Sequence, residues 1–233
     1  MADQKPRRPR RTKASIIACI QQAAEDEIRE SGFASSLVTD IIKRAKIEPQ
    51  VFYNRYRDLD EYYDTFVKKY DYWITDTIKE VKVPLVSHQG YREIFQQLIE
   101  KINTDDIILE ILRWEVSESN DTTHRTAAMR ELHTSPLTQG YVREFNSDDT
   151  DIKAFTAMIL GGIYYLSLHK KLSPFYGIDM STPEGRERIS IVVNKIIDGI
   201  FERRSIEADR ARIAARLREA GVDESVIQSA IAD

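Results

Sequence analysis

The chain has 233 residues, 42% of them hydrophobic and 31% charged, with a formal net charge of −4 at neutral pH. This composition excludes a disordered or fibrous protein and is sufficient for a substantial buried core. A single cysteine, Cys19, excludes an intramolecular disulfide and a thiolate metal cluster, and it fits a reducing compartment.

Neither a membrane span nor a secretory signal is visible. The longest apolar run, residues 154–168, is shorter than the roughly 20 residues that a membrane-spanning helix needs. The basic N-terminus leads into an amphipathic pattern rather than an apolar core of a signal peptide. We therefore expect a cytoplasmic protein with no membrane partner.

Charge is distributed unevenly along the chain. Residues 1–69 hold 14 basic and 11 acidic side chains, a net charge of +3, whereas the remainder holds 20 basic and 27 acidic side chains, a net charge of −7. A basic end on an acidic body is typical of a module that binds a polyanion. A solvated tail that serves only solubility would give the same asymmetry.

Hydrophobic periodicity predicts helices throughout, so the expected fold class is all-α. Thr12 is the expected N-cap of the first helix, Gly32 its stop, Ser35 or Ser36 the cap of the second, and Asp58 with Glu61 a capping box for the fourth. The predicted helices are, in order, residues 13–30, 36–45, 49–55, 58–83, 90–102 and 105–117, one or two within 123–145, then 151–170, 183–204 and a helical extension at 206–233 divided at Gly221, with a loop at 146–150.

The second and third helices are separated by only three residues. Lys46, Ile47 and Glu48 interrupt the apolar pattern, and Pro49 suits the first position of a new helix because it has no N–H to leave unpaired. Two short helices with such a turn, preceded by a longer helix and a basic arm, are typical of a helix-turn-helix module.

The segment Gly32–Tyr56, GFASSLVTDIIKRAKIEPQVFYNRY, resembles the DNA-binding signature of the TetR family of bacterial transcriptional regulators. The residues that match the family's pattern are Gly32, Phe33, Val38, Asp40, Ile41, Ala45, Ile47, Tyr53 and Tyr56. The resemblance implies a helix-turn-helix DNA-binding head on a larger helical body that binds a ligand and dimerises. Together with the residue pattern, this predicts a flexible basic arm (1–12), the DNA-binding head (13–70), the ligand-binding and dimerisation body (71–205) and a helical C-terminal extension (206–233).

Three residues depart from that signature. Lys46 stands where the family usually has the turn glycine, a position that often needs a positive φ and would strain a lysine. Glu48 replaces the usual small hydroxyl cap, and Leu59 replaces a lysine that commonly contacts phosphate.

The chemistry of DNA reading selects candidate residues on and around the third helix. If Phe52 and Tyr56 point inward, the outward residues are Gln50, Val51, Tyr53, Asn54 and Arg55, which suit contacts with base edges. Ser36, Thr39, Lys43, Lys46 and Arg57 are the candidates for phosphate contacts. The resemblance implies that Tyr53 contacts the DNA backbone, although core packing is its alternative. For Lys43 and Lys46 the alternative is a solvated face, and the arm Lys5–Lys13 either enters a minor groove or is a solubility tail.

The body offers candidates for dimerisation and for a ligand pocket. The expected dimer interface comprises Phe155, Gly161, Gly162, Ile189, Val193, Ile196, Ile197 and Ile200, unless these residues are buried inside one subunit. The expected pocket comprises Tyr91, Phe95, Trp114, Glu115, Met158 and Tyr165, and plain core packing is the alternative for each of them.

These patterns predict a homodimeric, sequence-specific regulator that binds double-stranded operator DNA and acts as a repressor responding to a small-molecule effector. The alternative is a helical protein–protein interaction module with a basic tail and no DNA role. No catalytic signature, cofactor motif or metal-ligand spacing is present, and His88, His124, His133 and His169 are not paired at helical spacing. We therefore expect no enzyme activity, no cofactor and no metal.

Overall fold

The computed structural model describes residues 12–145 and 151–231, so the predicted basic arm up to Arg11 and the predicted loop at 146–150 lie outside it. Within these ranges the regular elements are α-helices, apart from a 3-10 turn at Lys68–Tyr70 and one bridge between Phe175 and Ile178. The predicted all-α fold class is confirmed. The helices are α1 Lys13–Ser31, α2 Val38–Ala45, α3 Pro49–Tyr53, α4 Leu59–Val67, α5 Trp73–Ile78, α6 His88–Thr104, α7 Asp106–Ser117, α8 Asp121–Glu144, α9 Ile152–His169, α10 Pro183–Glu219 and α11 Glu224–Ile231.

The chain forms two compact units. The head contains the described residues up to Trp73 together with Asp105–Leu132, and the body contains Ile74–Thr104 with the described residues from His133 onward. The head therefore takes in α7 and the first half of α8 in addition to the segment 13–70. None of the described helices is both long enough and apolar enough to cross a bilayer.

The first helix begins and ends at the residues that the sequence predicts. The Thr12 hydroxyl accepts a hydrogen bond from the Ser15 N–H at 3.1 Å, and the Gly32 N–H donates to the Ile28 carbonyl at 2.8 Å. Gly32 has φ +75°, which side-chain-bearing residues rarely adopt. The predicted cap of α4 is also confirmed, because the Asp58 carboxylate accepts from the Glu61 N–H at 2.8 Å.

An aromatic cluster joins α7 to the rest of the head. Phe33 stacks on Trp114 of α7, with ring centroids 4.6 Å apart, and meets the edge of Tyr63 of α4 at 5.0 Å. Ile107 and Ile111 of α7 are buried in the same core. The compact head thus depends on residues far apart in sequence, and Phe33 lies between them.

The prediction of one long helix over residues 58–83 is wrong. The helix ends at Val67, tightens into the 3-10 turn, and resumes as α5 only at Trp73. Between these helices, the Asp71 carboxylate accepts hydrogen bonds from Arg125 at 2.7 Å and from Thr126 at 3.1 Å. These long-range contacts with α8 hold Asp71 in a turn, and local apolar periodicity carries no sign of them.

In the body, α6 packs against α9 and α10. Tyr91 on α6 is hydrogen-bonded to Thr156 on α9 at 2.6 Å, and Asn103 donates to Ser167 at 2.9 Å. Asp198 on α10 accepts from Arg92 at 3.1 Å and lies 2.7 Å from His88.

The predicted helix at 183–204 and the start of the predicted extension form one continuous helix, α10. It ends before Gly221, which has φ +77°, and α11 then returns against the end of α10. An ion pair between Arg218 and Glu224 at 2.7 Å closes this C-terminal hairpin, in which Ala214 and Ile227 are buried. The predicted division of the extension at Gly221 is confirmed.

We predict that Phe33→Ala lowers the free energy of unfolding by about 3–5 kcal/mol, because it removes a buried ring from the centre of the head. Urea denaturation followed by circular dichroism measures this loss. Leu37→Ala is the matched control, because Leu37 lies in the same connection and is 59% exposed. It should change stability by less than about 0.5 kcal/mol. Equal effects of the two substitutions would contradict the assigned core.

Candidate nucleic-acid interface

Helices α2 and α3 form a helix-turn-helix whose turn is closed by backbone hydrogen bonds. Lys46 stands at the position where a turn glycine with positive φ is expected. It has φ 51° and ψ 51°, the left-handed conformation predicted for that position. Its N–H donates to the Lys43 carbonyl at 3.2 Å, and the next N–H, of Ile47, donates to the Ile42 carbonyl at 3.3 Å. These two bonds end α2 in the pattern that normally uses glycine.

Phe52 fixes the orientation of α3. Its side chain is fully buried, and its ring lies 5.3 Å from that of Tyr56 and 5.6 Å from that of Tyr62. Ile47, in the turn, is partly buried against the same core. With Phe52 pointing inward, the opposite side of α3 faces outward, as the sequence predicts.

Five of the predicted DNA-contact side chains lie exposed on the two helices. Thr39 and Lys43 are exposed on α2, and Gln50, Tyr53 and Asn54 are exposed on α3 or at its C-cap. Tyr53 is about half exposed while its ring packs edge-to-face with that of Phe52, with centroids 5.6 Å apart, so it combines partial packing with partial exposure. Lys46 is exposed as well, in the turn.

The other four predicted contact residues are buried, partly buried or bonded within the head, although Arg57 is also exposed. Ser36 is buried, and its hydroxyl donates to the Gly32 carbonyl at 2.6 Å. Val51 is half-buried, and its carbonyl accepts a hydrogen bond from the Arg55 guanidinium. Arg57 donates to the Asp58 carboxylate at 2.7 Å. Their roles toward DNA stay predictions.

Two further charged groups shape this region. Hydrogen bonds from the Glu61 N–H and from Arg57 hold the pKa of Asp58 below its ordinary value, so its stabilising cap is complete at neutral pH and is lost on acidification. Arg44, which the sequence interpretation did not single out, donates from α2 to Glu27 of α1 at 2.7 Å and also pairs with Glu30. The sequence pattern does not predict this pairing, because a cation on the polar side of a short amphipathic helix is expected to face solvent.

The six pocket candidates fall into different environments. Trp114 and Glu115 belong to the head, where Trp114 stacks on Phe33 and Glu115 is ion-paired with Arg130. Burial raises the pKa of Glu115 despite that partner. In the body, Tyr91 and Phe95 are buried, whereas Met158 is 79% exposed and Tyr165 is also exposed. The assignment of these four residues to a ligand pocket stays a prediction.

The eight interface candidates also divide. Val193 and Ile197 are buried within the body, so they pack inside one chain rather than against a partner. Ile196, Gly161 and Gly162 are exposed, and a Cβ added at either glycine would meet no atom within 4 Å. Phe155, Ile189 and Ile200 are partly exposed. The exposed surfaces of α9 and α10 also carry Met158, Ile191 and Val192.

Solved structures share this fold, although the chain matches no family model and no curated protein. One is a protein from Vibrio parahaemolyticus assigned as a transcriptional regulator of the TetR family; it is 13% identical, with a TM-score of 0.51 over 73% of this chain and 96% of that one. Another, assigned as a transcriptional regulator from Pseudomonas aeruginosa PAO1, is 15% identical, with a TM-score of 0.54 over 83% and 96%. The likeness establishes the fold, with its N-terminal helix-turn-helix and helical body.

We predict that Lys46→Gly raises the free energy of unfolding by up to about 1 kcal/mol, because glycine adopts the left-handed turn without strain. Thermal melting measures the change. Lys46→Val should lower the melting temperature, because a β-branched residue is a genuine outlier at positive φ. Lys46→Asn should fall between them, and a valine variant as stable as the glycine variant would contradict the observed backbone conformation.

Proposed function

We propose that this protein is a sequence-specific DNA-binding transcriptional regulator similar to those of the TetR family, and not an enzyme. The observation that carries this proposal is the helix-turn-helix in which Phe52 is buried while Gln50, Tyr53 and Asn54 stay exposed. Amides and hydroxyls on such a helix suit base edges and phosphates of the major groove. Lys43 and Thr39 on α2 supply groups for the DNA backbone.

We further propose that the regulator is a homodimer. Two-fold symmetric operators require two linked reading heads, with half-sites about 34 Å apart. The exposed apolar side chains of α9 and α10, above all Met158, Val192 and Ile196, support self-association. Exposed apolar patches on a protein surface often mark an interface with another protein. Gly161 and Gly162 would let a partner helix approach closely.

The regulator is proposed to be a repressor that loses operator affinity when an effector binds the body. Support comes from two buried amides: the Oδ1 atoms of Asn103 and Asn194 accept no hydrogen bond from the described residues. Buried hydrogen-bond acceptors normally have a donor, so a polar small molecule that supplies one would bind favourably near these atoms. The effector must bind the two states of the regulator with different affinities, since otherwise it shifts nothing.

We predict that Lys43→Ala weakens binding to all duplex sequences and lowers the slope of log affinity against log salt by about one unit, because one phosphate contact is lost. Fluorescence anisotropy with labelled duplexes over a salt series measures the slope. Lys79→Ala in the body is the matched control and should leave the slope unchanged. A wild-type protein that binds no duplex DNA above the non-specific level would reject the regulator and favour the protein–protein interaction module.

We predict that Ile196→Asp dissociates the dimer, because it places an unpaired charge in an apolar interface. Operator affinity should fall with it. Analytical ultracentrifugation at micromolar concentration measures the association, and circular dichroism checks that the fold is kept. Val116→Asp, at an exposed position of the head, is the control and should stay dimeric. Sedimentation of the wild-type protein as a monomer would reject the proposed assembly.

We predict that a small molecule that raises the melting temperature will also reduce operator affinity by about 5- to 150-fold, the range of typical allosteric coupling. By linkage, operator DNA must weaken the binding of that molecule by the same factor. A thermal-shift screen followed by calorimetry with and without operator measures both quantities. Stabilising molecules that leave operator affinity unchanged would contradict ligand control.

A further inference from the structure

The exposed polar face of α3 is uncharged. Gln50, Tyr53 and Asn54 are its exposed polar side chains, and the amide side chains of Gln50 and Asn54 form no hydrogen bond with the described residues. Gln50 and Asn54 are four residues apart, and the Asn54 N–H still donates to the Gln50 carbonyl at 3.0 Å, so helical geometry continues through Asn54. The two amides therefore lie on one face, separated by a rise of about 6 Å.

The two arginines next to this face each donate a hydrogen bond within the head, although the side chain of Arg57 is 79% exposed. Arg55 is half-buried, and its guanidinium donates to the carbonyl of Val51, one turn earlier in α3. Arg57 donates to Asp58 at 2.7 Å, and Asp58 is itself held by its bond to the Glu61 N–H. Arginine is the commonest side chain to read guanine, through its O6 and N7 atoms. Both arginines that could do so beside α3 are already bonded.

Side-chain amides have a different base preference. Asparagine and glutamine bond bidentately to the N6 and N7 atoms of adenine, a pairing that guanine does not offer. A rise of about 6 Å corresponds to about two base-pair steps of 3.4 Å. The Val51 side chain, half-buried beside Gln50, adds an apolar group that suits the methyl group of thymine.

Resting on the proposed function, we infer that the base pairs read by α3 are A·T pairs. Gln50 and Asn54 each bond an adenine, at positions within about two base-pair steps of each other in every half-site. Arg55 contributes to the fold of α3 and not to base choice. Lys46 and Glu48 belong to the turn, so base pairs that they contact lie outside this assignment.

Selection from a random pool of duplex DNA by the purified full-length protein tests the inference. The wild-type protein should enrich half-sites that contain two A·T pairs within about two steps. Gln50→Ala and Asn54→Ala should each lose the preference at one of these pairs and weaken binding to the selected site by about 5- to 150-fold. Gln89→Ala, which removes an exposed amide from α6 in the body, is the matched control and should select the same sequence. Arg55→Ala tests whether that arginine reads bases, and circular dichroism checks that the helices of each variant are intact.

G·C pairs at the positions whose preference changes in Gln50→Ala or Asn54→Ala would overturn the inference. A guanine preference that disappears in Arg55→Ala would overturn it too, because Arg55 would then read bases. Either result would leave the DNA-binding regulator standing, since a sequence would still have been selected. A pool that shows no enrichment by the wild-type protein would reject the regulator and the base assignment together.

Discussion

The helix-turn-helix depends on the burial of one side chain, that of Phe52. α3 has five residues, and a helix of this length is not stable in water on its own. Its position is therefore set by tertiary contacts, chiefly the Phe52 ring against Tyr56 and Tyr62, and by the turn at Lys46 that brings the chain to Pro49. Gln50 and Asn54 can contact another molecule only because the buried Phe52 side chain holds α3 in this orientation.

The net positive charge of the N-terminal segment overstates the number of cations that its described part offers to a partner. Arg44 is bonded to Glu27 and Glu30, Arg55 to a backbone carbonyl, and Arg57 to Asp58. Each of these bonds stabilises the head, and the ion pairs of Arg44 and Arg57 lower the positive potential available to a polyanion. The affinity of this surface for DNA then depends more on geometry and on uncharged groups than the sequence composition indicates.

Features set by neighbouring residues could be predicted from the sequence. The cap at Thr12, the stop at Gly32, the strained turn at Lys46 and the inward direction of Phe52 all follow from local periodicity and backbone preference, and all are confirmed. The sequence-based predictions failed where contacts with distant side chains override the local pattern. The α-helix ends before Asp71, whose carboxylate binds Arg125 and Thr126, and Val193 is buried within the body. Apolar spacing on one helix does not tell which partner covers its face.

The C-terminal hairpin of α10 and α11 makes the end of the chain a separable module. The buried residues of α10 that belong to the body, among them Ile197 and Phe201, all precede it, and beyond them Ala214 and Ile227 form a small core of their own. A segment with so few buried contacts opens at lower free energy than the rest of the molecule. Its amides should exchange with solvent first, a protease should cut near Gly221 before it cuts elsewhere in the described chain, and mutation can alter this hairpin with little effect on the head.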